Sequence, residues 1–402
     1  MSADAQRVME RCASLAAITD VKGETTRTFL SPAMTRANAL VAEWMQAAGM
    51  SVHMDAAGNL RGRHGEAART FVMASHLDTV PNAGAYDGIL GVVMAIEVAE
   101  AMRDAVLPFS IEVIGFSEEE GVRFGVPFIG SRAMVGTCDE TLLSTQDANG
   151  ITVRDAIAAY GLHCETLPEA VPHDAFAYLE FHIEQGPVLE AEGRPLGVVE
   201  AIAGQSRYTM TFTGTANHAG TTPMHLRKDA MSAAAEWIVA VEDLAQETKG
   251  LVATVGSVST IPGAGNVIAG AVKATLDVRS AEDAVRHEAV AILLAKAEAC
   301  GVSRGVRVEA NLRMDQEAVA MDASLIASLA EALGDGARRL VSGAGHDAMI
   351  VAPHIPCAML FLRSPGGLSH HPDESVLMDD VQAGLDTGVR FVKLLAIKEN
   401  DA

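Results

Sequence analysis

The feature that most constrains the fold of this 402-residue chain is an interruption in its pattern. Up to about residue 205, helical and strand-like segments alternate, as in a layered α/β domain. Residues 38–48 read as a helix, 52–55 and 59–62 as a hairpin around Ala57-Gly58, and 71–75 as a strand. A helix over 89–102 and a strand over 110–116 follow, then a helical and loop-like stretch over 132–173 and a strand over 177–183. From about Gln205 the order changes to strand 207–213, helix 229–246, strands 252–260 and 272–279, helix 281–299 and strand 306–311. This βαββαβ order predicts a small antiparallel, ferredoxin-like sheet with two helices on one face. The α/β pattern then resumes with a helix at 323–333, a strand at 358–362 and a helix at 379–397. The chain therefore reads as an α/β, mixed-sheet main domain, residues 1–205 with 321–402, into which an α+β domain, 206–320, is inserted. Two cores suit a chain of this length. Only 4% of residues are aromatic although 49% are hydrophobic, so Ala, Val, Leu, Ile and Met must build those cores.

Charge and cysteine usage narrow the classes of partner. With 30 basic and 52 acidic residues the formal charge is −22, which argues against nucleic acid and anionic membrane surfaces. No apolar run reaches the roughly 18 residues of a membrane span, and the N-terminal Met-Ser-Ala-Asp-Ala-Gln-Arg lacks the apolar stretch of a signal peptide. Cys12, Cys138, Cys164, Cys300 and Cys357 are scattered and form no CxxC pair. The expectation is a cytoplasmic protein with reduced thiols and no thiolate metal site.

Four short segments carry candidate chemistry. Residues 75–88 set His76, Asp78 and Asp87 in one window at the end of a β-prone apolar run. Alternation along a strand sends His76 and Asp78 to one side, and an imidazole with two carboxylates suits a divalent metal. A strand-end turn with solvated polar residues is the alternative. Glu118-Glu119-Glu120 follows the apolar strand 111–116, either as a solvated acidic turn or as a cluster held by a cation. His182 closes strand 177–183 and precedes Glu184-Gln185-Gly186, while Gly366 to Glu374 is a Gly-rich loop with His370 and His371. All four lie in the discontinuous domain at strand ends or loops, where open α/β sheets gather functional groups.

Together, His76-Leu77-Asp78, Asp87-Gly88, Glu119-Glu120-Gly-Val-Arg-Phe, His182-Ile-Glu-Gln-Gly and Ser369-His370 resemble the di-metal aminoacylase/carboxypeptidase superfamily. More narrowly the chain is similar to its branch of allantoate amidohydrolases, ureidoglycolate hydrolases and N-carbamoyl-L-amino acid hydrolases. The resemblance covers nearly the whole chain. It implies two divalent ions per subunit, Mn2+ or Zn2+ foremost, with Co2+ or Ni2+ also suited to such ligands. It implies that Asp87 bridges them, that His76 and His182 complete one site, and that Glu120 and His370 complete the other. His370 is favoured over His371 because the motif's histidine directly follows its serine. Glu119 matches the general base and Asp78 the residue that orients His76, leaving Glu118 peripheral.

The inserted domain carries Asn217-His218-Ala219-Gly220, Gly265-Asn266 and Asp277-Val278-Arg279. Alone these read as turns and a strand arginine. The resemblance implies instead that His218, Asn266 and Arg279 bind substrate, that His218 also acts in catalysis at the site of a partner subunit, and that the insert is a lid and dimerisation domain of a homodimer. Gln185 and Gly367 would be further substrate contacts. Ser342 to Met349 also matches, with His346 and Asp347 either structural or lining the pocket. The implied activity is hydrolysis of a ureido C–N bond in a small carboxylate, foremost allantoate in ureide catabolism. The alternative is N-carbamoyl-L-amino acid hydrolysis, as in hydantoin utilisation. An aminoacylase or peptidase of the superfamily, or a non-catalytic binding module, stands behind both.

Overall fold

The apolar runs of the first 200 residues become strands of one sheet. The computed structural model describes residues 3–334 and 336–400. In chain order its strands are β1 (Ser51–Met54), β2 (Leu60–His64), β3 (Thr70–His76), β4 (Ser110–Phe116), β5 (Ala175–Ile183) and β6 (Leu196–Ile202). Then follow β7 (Gly204–Thr213), β8 (Asn217–His218), β9 (Leu251–Thr254), β10 (Val258–Ile261), β11 (Val267–Ile268), β12 (Ala271–Ser280) and β13 (Arg307–Gln316). The last are β14 (Val319–Ala320), β15 (Arg339–Ser342) and β16 (Cys357–Leu362). Packing divides the chain into two compact units, residues 1–200 with 321–402, and residues 201–320.

In the larger unit the sheet order is β1-β2-β4-β3-β5-β16-β6, with β15 beside β6. The four inner strands β4, β3, β5 and β16 run parallel. Strands β1, β2 and β6 pair antiparallel at the flanks, giving a mixed sheet. Every residue of β3, β4 and β16 is buried. Strands covered on both faces need largely apolar rather than alternating sequence, which Phe71 to Ala74 and Val113 to Phe116 supply; the buried Glu112 of β4 is paired with Arg61 at 2.9 Å. The helix Ile89–Ala101 is buried almost throughout and packs on β3, β4 and β5, between them and the helices Ala5–Ala16 and Met378–Asn400.

Local signals explain where expected elements shifted. The helix expected over 38–48 begins at Pro32, because the Ser31 hydroxyl accepts from the Met34 N–H and Pro32 takes the first turn. The stretch 132–173 holds the short helices Ile129–Met134, Glu140–Leu143 and Val153–Ala159 and the 3-10 turn Cys164–Ala170. These close over their own apolar cluster of Phe29, Phe124, Ile129, Val153 and Ile157. The helix Ala5–Ala16 and strands β6 and β15 have no counterpart in the expected pattern.

The smaller unit is a five-stranded sheet, β10-β12-β7-β13 with β9 also on β12. Val272, Ala274, Leu276 and Val278 of β12 are buried at every second position, so one face is apolar. The helices Ala230–Glu247 and Asp283–Arg304 pack on that face around Trp237, Phe212 and Leu293. The strand expected over 252–260 is instead two, β9 and β10. Thr254 faces Asp277 and Val258 faces Ala274, so four steps on one strand match three on its neighbour. The extra residue bulges out at Val255-Gly256-Ser257, where Thr275 N–H donates to the Ser257 carbonyl at 3.0 Å.

Candidate metal centre

The carboxyl ends of the four parallel strands lie together, and each delivers one of the segments singled out above. His76 is the last residue of β3, paired with Phe116 at the end of β4. Glu118 to Glu120 follow β4 directly, and His182 sits near the end of β5 opposite Phe361 of β16. His370 lies in the loop after β16. Asp87 stands just before the helix Ile89–Ala101, whose first residues are placed by Gly88 at φ 67°. A Cβ on Gly88 would lie 2.3 Å from His76 Cε1, so only glycine lets this helix start against the imidazole.

Asp87 is the hub. Its Oδ1 lies 3.3 Å from His182 Nε2 and 3.8 Å from His76 Nε2, and its Oδ2 lies 3.3 Å from His370 Nε2. His370 Nε2 is also 3.6 Å from Glu120 Oε1. Donor atoms of His76, Asp87 and His182 all fall within 4.8 Å of one another, as do those of Asp87, Glu120 and His370. A further overlapping group joins His76, Glu119 and Glu120. His371 turns away to Asp373, with 3.8 Å between Nδ1 and Oδ2.

Hydrogen bonds fix these side chains from behind. His76 Nδ1 lies 3.1 Å from the Asp78 carbonyl and 3.4 Å from Asp78 Oδ1, and His182 Nδ1 lies 2.9 Å from the Ile183 carbonyl. Each ring thus turns Nε2 toward Asp87. Asp78 does more than orient His76. Its two oxygens accept from the N–H groups of Glu119 and Glu120 at 3.0 and 3.1 Å, so one carboxylate fixes both the imidazole and the acidic turn. Glu118, expected to be peripheral, is fully buried and accepts from Gly121 N–H at 2.6 Å, which closes that turn from inside.

The electrostatics fit a cation. Burial holds Glu119 well above the usual carboxylate range, and the charge of Glu120 adds to this against the pull of His76. Burial and then Asp87 push Glu120 up to about 7. Burial also opposes ionisation of Asp87, yet the hydrogen bond from His370 and the charge of His76 outweigh it and hold that carboxyl low. Burial pushes His182 down to about 4, which keeps it in the neutral form that binds metals. The donor set of imidazoles and carboxylates without thiolate is that of a divalent-cation site.

Other residues reach the centre that the sequence reading assigned differently or passed over. Gln185, expected to contact substrate, donates through Nε2 to Asp87 Oδ1 and Oδ2 at 3.3 and 3.1 Å and to Ser369 Oγ at 2.9 Å. Ser369 in turn donates to Asp87 Oδ2 at 3.2 Å. Gln185 and His370 both hold positive φ, 57° and 55°, a left-handed backbone that costs on the order of 1 kcal/mol outside glycine. His346 is buried with its ring 4.4 Å from that of His182 and its Nε2 2.8 Å from Ser342 Oγ. The fully buried Arg27 donates to the Leu77 carbonyl at 2.7 Å and to those of Leu15 and Ile18 at 2.9 Å, bracing the chain between His76 and Asp78. Nothing local in Glu-Thr-Thr-Arg-Thr announces that role; Ser369 could have been read from its place beside His370.

Gly367, at φ 64°, donates its N–H to the Ser364 carbonyl in the loop leading to His370. The remaining residues expected at substrate lie in the smaller unit. Exposed His218 ends β8 and exposed Asn266 sits in the turn before β11, with the Ala219 N–H donating to the Asn266 carbonyl at 3.0 Å. Arg279 lies on β12, its guanidinium paired through Nε and Nη2 with Asp277 at 2.8 and 3.0 Å. Asp277 also accepts from Arg207 at 2.8 Å.

The chain belongs to Peptidase family M20/M25/M40, whose model matches residues 72–394. It is 40% identical over 419 residues to allantoate deiminase 1 of Glycine max, covering 94% of this chain and 87% of that protein. It is also 40% identical over 385 residues to an N-carbamoyl-L-amino acid amidohydrolase of Geobacillus stearothermophilus, covering 93% and 94%. The fold matches a crystal structure of an amidase of the hydantoinase/carbamoylase family from Burkholderia multivorans with a TM-score of 0.92 at 31% identity, over 98% of each chain.

Proposed function

We propose that this protein is a metal-dependent amidohydrolase that cleaves a ureido C–N bond of a small carboxylate, foremost allantoate, releasing ammonia, CO2 and a ureido acid. The observation that carries the reading is the position of Asp87 between two donor groups, with Glu119 beside both. His76, His182 and Asp87 would hold one divalent ion, and Glu120, His370 and Asp87 a second, Mn2+ or Zn2+ foremost. When bound, such ions lower the pKa of water toward neutrality and polarise a carbonyl.

The chain's own residues supply the rest. Glu119 is the general base: its carboxylate takes a proton from water and returns it to the leaving nitrogen. Asp78 keeps that base in place by holding the Glu119 and Glu120 N–H groups. Arg279 holds the substrate carboxylate through the charge of its guanidinium, which Asp277 orients. His218 donates to the oxygen on which negative charge develops, and Asn266, Gln185 and Gly367 line the substrate. In this reading residues 1–205 with 321–402 are the catalytic domain, 206–320 the lid and dimerisation domain, and the protein a cytoplasmic homodimer.

Kinship with allantoate deiminases supports allantoate, as do Tyr86-Asp87-Gly88-Ile-Leu-Gly91 and His346-Asp347-Ala-Met349, which resemble the allantoate type. The equal identity to an N-carbamoyl-L-amino acid amidohydrolase supports the second reading. Turnover of allantoate, N-carbamoyl amino acids and dipeptides by Mn2+-loaded protein separates them. The expected order places allantoate first; dipeptide turnover equal to it would overturn the assignment.

A further inference from the structure

The loop that carries His370 ends in a carboxylate turned into the protein. Glu374 is only 5% exposed, and its Oε1 accepts from two consecutive backbone donors, the N–H groups of Tyr86 and Asp87, both at 2.9 Å. On the same two residues, the Tyr86 and Asp87 carbonyls accept from Leu90 and Ile89 in the first turn of the helix Ile89–Ala101. The backbone that bears the Asp87 side chain is therefore held twice, by the helix through its carbonyls and by Glu374 through its N–H groups.

The neighbouring sequence is shaped around this contact. A Cβ on Gly84 would come within 2.4 Å of Glu374 Cβ and 2.7 Å of its Oε1, so glycine is what lets the 84–88 loop close on the carboxylate. Glu374 N–H donates to the His371 carbonyl at 3.0 Å, which ties the clamp to the backbone next to His370. Burying a carboxylate is costly, the more so here because Glu374 Oε2 has no hydrogen-bond partner, and an apolar side chain would join two loops at less cost. What an apolar side chain could not do is fix the orientation of the Asp87 peptide, and with it the 3.3 Å approach of Asp87 Oδ2 to His370 Nε2.

We infer that Glu374 is a positioning residue that holds Asp87 and His370 at the separation required for the divalent ion bound by Asp87, Glu120 and His370. The inference rests on the two-ion reading above and adds to it a residue outside the donor set. Outer partners of metal ligands typically change metal affinity by about 10–100-fold when removed.

The test is calorimetric titration of EDTA-stripped full-length protein with Mn2+, together with thermal unfolding of the stripped protein. Glu374→Gln keeps an acceptor oxygen and should bind both ions within about threefold of the unaltered protein. Glu374→Ala removes the acceptor, and Glu374→Asp draws it back by one methylene. Both should weaken the ion held by Asp87, Glu120 and His370 about 10–100-fold and the other, which shares only Asp87 with it, less. If the alanine variant does not fold, the aspartate variant decides. Unchanged affinity for both ions in the aspartate variant would overturn the inference. So would equal weakening of both ions with lowered melting of the stripped protein, or a glutamine variant as weak as the aspartate one. Failure of the unaltered protein to take up Mn2+ would instead overturn the metal reading itself, a result distinct from any of these.

Discussion

At the scale of single residues, Gly88 shows how tightly this centre is drawn. Its φ of 67° disfavours any side chain, and the Cβ of an alanine would lie 2.3 Å from the His76 ring. Gly88→Ala should therefore cost about 1–2 kcal/mol in backbone strain alone and displace His76, which Mn2+ titration would register as weaker binding together with lower thermal stability. Glu119→Gln tests the division of roles between adjacent glutamates. It should retain Mn2+ content, measured on the dialysed protein, while losing about 10²–10⁴-fold in kcat; loss of metal with activity would make Glu119 a ligand instead. His76, Asp87, Glu120, His182 and His370 were legible as candidates because each sits at a strand end or in a short motif, while their division between two ions came from the family resemblance. The sequence did not make Arg27 or the Gln185–Asp87–Ser369 hydrogen bonds legible, because those contacts join segments distant in sequence and leave no local pattern.

At the scale of elements, periodicity was a good guide where packing is regular and a poor one where a strand changes register. The buried alternation of β12 and the long helices of the smaller unit follow directly from their apolar spacing. The break between β9 and β10 does not, since Val255-Gly256-Ser257 is ordinary strand sequence until its extra residue is counted against β12. Likewise β6 pairs with β16 as a flank of the main sheet although nothing marked it as a separate strand. The smaller unit depends on one large anchor in an aromatic-poor core. Trp237 is fully buried, and its Nε1 donates to the Leu293 carbonyl at 3.0 Å. Trp237→Ala should destabilise this unit by about 3–5 kcal/mol, seen by urea unfolding followed at the helix signal; a loss below about 1 kcal/mol would show that the helices do not depend on it.

At the scale of the whole molecule, the parallel strands do what no single motif does. Four segments separated by up to hundreds of residues end at one edge because β4, β3, β5 and β16 point the same way. The order of elements, and with it the discontinuous domain, was readable because the insert has its own βαββαβ rhythm. The depth at which Glu118, Glu119 and Asp87 are buried was not, since an acidic turn after a strand is as readily solvated. None of the described helices is long and apolar enough to cross a membrane. The buried concentration of carboxylates gives the account its sharpest consequence: activity should follow divalent metal and not merely the fold. The most direct test is ammonia release from allantoate by EDTA-stripped protein before and after addition of Mn2+. No release is expected before addition and sustained release after it. Release that is equal in both states, or absent in both, would contradict this expectation.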